Sequence, residues 1–210
     1  MKTVTKGGIN LFAKDFRNVA WNALSGKWGK FALVTLIYEL ILGACASIAN
    51  VATLVITGPL MLGMAGVAFK VLDNVEFDVK NLFDGFERFL DALVLYVVNS
   101  LLVFLWSLLF IVPGVIKYYE YSMSYYILLE NPEMKYQEAR SASIVLMDGN
   151  KGRLFCLHLS FIGWVTLSAF TFGILLLWVV PYMETAQAAF YREICREKTG
   201  KINAQASIEY

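Results

Sequence analysis

Three stretches of this chain are nearly free of charge, and each is about twice the length of one membrane crossing. Phe31 to Phe69 holds 39 residues with Glu39 as its only charge. Ala92 to Leu129 holds 38, with Lys117 and Glu120, and Leu154 to Tyr191 holds 38, with Glu184. A membrane-spanning helix needs about 20 apolar residues and tolerates about 25. Each stretch is therefore too long for one crossing and suits two joined by a minimal turn. The reading is an all-α, polytopic membrane helix bundle of about six transmembrane helices, arranged as three hairpins within a single domain. A soluble core helix does not sustain such runs, and a composition of 58% hydrophobic and 17% charged residues agrees.

The turns are expected near the midpoints, at Asn50, at Pro113–Gly114 and at Phe172–Gly173. Seventeen of the 18 Lys and Arg residues fall outside the hairpins. They lie in the N-terminal segment 1–30 (Lys2 and Lys6 among them), in the two links, and in the tail 192–210. All of these lie on one side of the predicted membrane, and the excess of Lys and Arg makes that side, with both termini, cytoplasmic. The first 30 residues lack the apolar core and cleavage site of a secretory signal.

The cytoplasmic segments carry apolar stripes. Ile9, Phe12, Phe16, Val19 and Ala23 recur at helical spacing among basic and polar residues. They predict an amphipathic helix on the inner leaflet or, equally, an extension of the following span. Val79, Leu82, Phe83, Phe86 and Phe89 form a second such stripe. A third segment is expected to start at Asn131–Pro132, an N-cap followed by proline, and to run to Met147. Leu24-Ser25-Gly26, Phe83-Asp84-Gly85 and Met147-Asp148-Gly149 each close one of these segments. Pro59, Pro113 and Pro181 follow 28 to 33 residues later, which suggests a threefold internal repeat. Pro59 and Pro181 are expected to kink a span, and Pro113 to mark a turn or a kink.

Ionisable groups within a span cost at least about 2.5 kcal/mol at mid-bilayer and face a partner or water. Glu39 and Glu184 are the leading candidates, as proton or cation carriers on a polar path or as packing contacts. Lys117 and Glu120, three residues apart, read as a mutual pair. His158 and Asn99 complete the intramembrane polar set. Tyr118, Tyr119, Tyr121, Tyr125 and Tyr126 form a dense cluster, read as packing. A lone histidine and unpaired cysteines (Cys45, Cys156, Cys195) offer no metal site and no disulfide framework. The cysteines within apolar runs read as buried packing residues. No nucleotide-binding, zinc-protease or serine-hydrolase motif is present. No catalytic residue, cofactor, metal or nucleic-acid partner is expected.

Several segments also resemble a known family. These are SGKWGKF (25–31), GPLMLG (58–63), LFDGFERF (82–89), IVPGVIKYYEYSMSYYILLENPE (111–133), LSFIGW (159–164) and LLLWVVPYMETAQAAFY (175–191). They are similar, in order, to the bacterial integral membrane proteins of domain-of-unknown-function family 975. The resemblance implies a multi-pass protein of the bacterial cytoplasmic membrane and supplies no activity. The favoured expectation is a non-enzymatic membrane accessory or scaffold protein that binds lipids, another membrane protein or a second copy of itself. The alternative is a small transporter or permeation protein using Glu39 and Glu184. The two expectations differ in where these acids point: into one central cavity for transport, or into separate helix contacts in a dry core for scaffolding.

Overall fold

Glycine, proline and the ends of the apolar runs divide the chain into helices. A computed structural model describes residues 12–48 and 50–206. Lys2, Lys6, Ile9 and Ala49, the last beside the expected first turn, lie outside the described residues. The helices are α1 (Ala13–Leu24), α2 (Trp28–Ile48), α3 (Asn50–Leu72), a 3-10 segment (Val79–Arg88), α4 (Phe89–Leu109), α5 (Ile111–Tyr121), α6 (Ser124–Glu130), α7 (Tyr136–Met147), α8 (Lys151–Leu159), α9 (Ile162–Phe170) and α10 (Leu176–Ala206). No strand occurs among the described residues.

Among the described residues, four stretches are long and apolar enough to cross a membrane: Trp28–Ser47, Ala52–Leu72, Val79–Leu109 and Lys151–Phe170. The expected count of six is not reached on this measure. Residues 111–129 are divided between α5 and α6, and α10 carries Glu184 and the charged tail. The window in α3 is 61% buried, against 17–22% in the other three, so α3 is the central helix. It packs against the 3-10 segment, α4, α10 and α2.

The turn at Phe172–Gly173 falls where the sequence places it, with φ of 51° and 83°. The second turn lies at Phe110, whose backbone is extended, and Pro113 follows in the first turn of α5, where it kinks nothing. Pro59 and Pro181 lie inside α3 and α10, as expected.

The amphipathic segments differ from expectation. In α1 the buried residues are Phe16, Ala20 and Leu24, whereas Phe12 and Val19 are exposed. This face docks on α10 and α8, and Arg17 donates to the Ser160 carbonyl at 3.1 Å. The helix is thus part of the bundle and no extension of α2, because Gly26 takes φ +78° between them. The second stripe forms a 3-10 segment capped by the Asp78 carboxylate on the Val79 amide at 2.7 Å. Its three-residue period turns Leu82 and Gly85 inward and leaves Phe83 exposed. The third helix starts at Tyr136, with Glu138 accepting from the Lys135 amide. Asn131 ends α6 instead, its side-chain amide donating to the Ile127 carbonyl at 2.8 Å. Gly149 (φ +75°) follows the 12-residue α7 as Gly26 follows the 12-residue α1. Gly85 lies within its 3-10 segment, so the second junction has a different geometry from the other two.

The 3-10 segment approaches α3 at backbone distance. A Cβ on Gly63 would lie 1.9 Å from the Leu82 carbonyl oxygen, and one on Gly85 would lie 2.0 Å from that of Pro59. Ion pairs Lys70–Asp84, Arg88–Asp91, Arg153–Glu197 and Arg192–Asp73 tie segments together at one end of the bundle. The hydrogen bonds from Arg192, aided by its charge, hold the Asp73 carboxyl below the usual aspartate range.

Candidate functional site

A cavity of about 690 Å³ lies between α2 on one side and α4 to α6 on the other, with α3 and α10 contributing to its wall. Drug-sized organic ligands occupy cavities of roughly 300–1,000 Å³. Glu39 lines this cavity from α2, Asn99 from α4 and Glu184 from α10. Three of the six intramembrane polar residues singled out from sequence therefore meet in one place.

Local structure explains how they meet. The chain is broken between α5 and α6, at Ser122–Met123. There Ser143 of α7 enters the ladder: its hydroxyl donates to the Glu120 carbonyl at 2.7 Å and accepts from the Met123 amide at 3.2 Å. A side chain inserted into the helical hydrogen-bond ladder is a recognised cause of a bend. Tyr118 and Tyr121 before the break, and Tyr125 and Tyr126 after it, all line the cavity. In α10, Pro181 provides no amide hydrogen to the preceding turn. The Thr185 hydroxyl binds the Pro181 carbonyl at 2.7 Å, one turn on. Glu184 sits within this adjusted turn, with Gln187 three residues later on the same face.

The polar groups form two short sets of hydrogen bonds. The Tyr126 hydroxyl donates to Glu184 Oε2 at 3.3 Å. Gln187 Oε1 lies 3.1 Å from His158 Nε2, and His158 Nδ1 lies 3.3 Å from the Tyr119 hydroxyl. With the Gln187 carbonyl facing the ring, Nε2 donates and Nδ1 accepts. His158 thus reaches the cavity indirectly, through Gln187. Asn99 Oδ1 is buried and has no hydrogen-bond partner, although its side chain lines the cavity. Tyr126 is almost fully buried, while Glu39 and Tyr118 are exposed, so the cavity runs from an enclosed end to an open rim.

Lys117 and Glu120 stay apart from this group. Glu120 pairs with Lys117 at 2.6 Å, as the sequence suggests, and also with Lys151 of α8 at 2.8 Å. Among the described residues no Lys or Arg lines the cavity. Of the tyrosines expected to pack, Tyr119 packs on Phe155 and Tyr126 on Phe69 and Tyr191 in the core, while Tyr118, Tyr121, Tyr125 and Tyr126 also line the cavity. The cysteines are free, and Cys156 is exposed where burial was expected. Sequence reasoning did not single out Tyr38, Tyr96 and Gln187, all of which line the cavity. A signal existed for each: Tyr38 precedes Glu39, Tyr96 is three residues before Asn99, and Gln187 is three after Glu184.

No curated protein and no solved structure matches the chain. The model of the family described as "Protein of unknown function (DUF975)" matches residues 12–119 and 113–198, and the chain belongs to that family.

Proposed function

We propose that this chain is a small multi-pass membrane protein that binds a solute in the cavity and passes it across the bilayer. One observation carries the reading: Glu39 and Glu184, 145 positions apart in sequence, line the same cavity. Buried carboxylates serving helix packing would sit at separate contacts in a dry core. Carboxylates that share one cavity within a bundle mark a path or a binding site.

The membrane setting rests on the outer surface. Leu101, Phe104, Leu105, Leu108, Leu109, Phe110 and Ile111 are all exposed on α4, the turn that follows and the start of α5. Exposed apolar surface on this scale suits lipid. In this reading α5 with α6, and α10, complete six crossings. The basic segments and both termini face the cytoplasm, and the membrane is the bacterial cell membrane implied by the family resemblance. At about 1.5 Å per residue, the 31 residues of α10 extend about 46 Å, past a hydrocarbon core of about 30 Å.

Purification from native membranes in mild detergent, followed by native mass spectrometry, tests the proposal. A small solute held by the wild type and lost from Glu184→Gln and Glu39→Gln is the expected result. A stoichiometric protein partner, with no solute lost on either substitution, overturns it in favour of an accessory role.

A further inference from the structure

We infer that the solute is an organic monocation, such as a quaternary ammonium or a protonated amine bearing apolar groups. This deepens the transport reading and rests on it. Among the described residues, two carboxylates and no basic side chain line the cavity, so its charge selects against anions. Six tyrosines line it (Tyr38, Tyr96, Tyr118, Tyr121, Tyr125 and Tyr126), and an aromatic face attracts a cation within about 6 Å. The attraction is strongest where the cation is desolvated. Met61, Met64 and Phe104 add apolar, adaptable surface.

A bare metal ion fits less well. A hard cation takes six or more oxygen ligands. Among the described residues no three His, Cys, Asp or Glu side chains gather into a metal-binding group. The volume of about 690 Å³ also exceeds what a single ion fills. The unpaired Asn99 Oδ1 adds an acceptor for an N–H of a protonated amine.

The test is equilibrium dialysis of the detergent-purified full chain against radiolabelled tetraphenylphosphonium, with tetraphenylborate as the anion of matching shape. One tetraphenylphosphonium is expected to bind per chain, saturably, with tetraphenylborate bound at least tenfold more weakly. Glu184→Gln is expected to weaken the cation at least tenfold, and Glu76→Gln, on an exposed residue away from the cavity, to leave it unchanged. Tyr125→Phe keeps the aromatic face and is expected to bind within about twofold of wild type. Tyr125→Leu is expected to lose about tenfold, whereas equal binding by the Phe and Leu variants overturns the aromatic contribution. Equal binding of the two probes, or binding of neither, overturns the cation assignment. If the native protein still holds a Glu184-dependent solute in that case, the transport reading stands and only the solute class is wrong.

Discussion

Gly63→Ala isolates the contact that seats the 3-10 segment on α3. The added Cβ would lie 1.9 Å from the Leu82 carbonyl oxygen and 2.7 Å from its carbon. Ordinary carbon contacts begin near 3.5 Å, so the two backbones must part by roughly 1.5 Å. Both clashing atoms are backbone, so no rotamer change relieves them. A gap of about 1 Å already forfeits up to about half of each dispersion contact along the seam. Overpacking costs typically 1–3 kcal/mol, and this site belongs at the upper end, about 3 kcal/mol. For a chain of this size that corresponds to a loss of about 6–12 °C in thermal midpoint. Gly85→Ala strikes the same seam at Pro59, so the double variant is expected to fall short of the sum. Thermal unfolding in detergent, followed by tryptophan fluorescence, supplies the measurement. Gly29→Ala is the control, since nothing lies within 4 Å of its Cβ and alanine favours a helix. A Gly63→Ala midpoint within about 2 °C of wild type, against the shift expected above, would refute the backbone-contact reasoning. So would an equal loss in Gly29→Ala.

Arg88 donates to the carbonyls of Leu128, Asn131 and Met134 and pairs with Asp91. Arg88→Ala is expected to cost about 2–4 kcal/mol, since charged hydrogen bonds contribute about 1.5–3 each and the freed carbonyls lose their partner. Arg88→Lys should recover less than half, because an ammonium lacks the planar fork; full recovery, read in the same thermal assay, would contradict this. The Asp73 carboxyl, held low by Arg192, stabilises fully above its ordinary value of 3.8 and loses that contribution as pH falls through its lower folded value. Both partners are more than a third exposed, so solvent screening limits the pair to about 1 kcal/mol or less. Asp73→Asn is therefore expected to melt slightly below wild type at neutral pH and to converge with it in acid, once the pH has fallen through the lowered folded value. A difference that persists at low pH would count against the pairing.

What the sequence reveals here is set by how local each cause is. Run length alone marks α2, α3 and α4, and the midpoint of the third run coincides with the Phe172–Gly173 turn. Glu39 and Glu184 stand out because charge is rare in apolar runs, and Lys117–Glu120 because three-residue spacing is local. The α5–α6 break is not local: it depends on Ser143, more than 20 positions from Glu120. The 3-10 segment escapes detection because periods of 3.0 and 3.6 hardly diverge over ten residues. The choice there is made by Gly63 and Pro59 on another helix. The cavity is the least legible feature, since six helices must converge to enclose the space that Tyr38, Asn99 and Gln187 share.

The length of α10 gives the cavity mechanical leverage. From Pro181 to Ala206 the helix extends about 38 Å at about 1.5 Å per residue. A tilt of about 5° at the proline therefore swings its far end by about 3 Å. Arg192 and Glu197, which grip Asp73 and Arg153, ride on that arm. In the proposed reading, an occupant pressing on Glu184 is thus geared to these clasps: the same tilt moves Arg192, about 17 Å along the arm, by about 1.4 Å, and Glu197, about 24 Å along, by about 2 Å, enough to draw Glu197 away from Arg153.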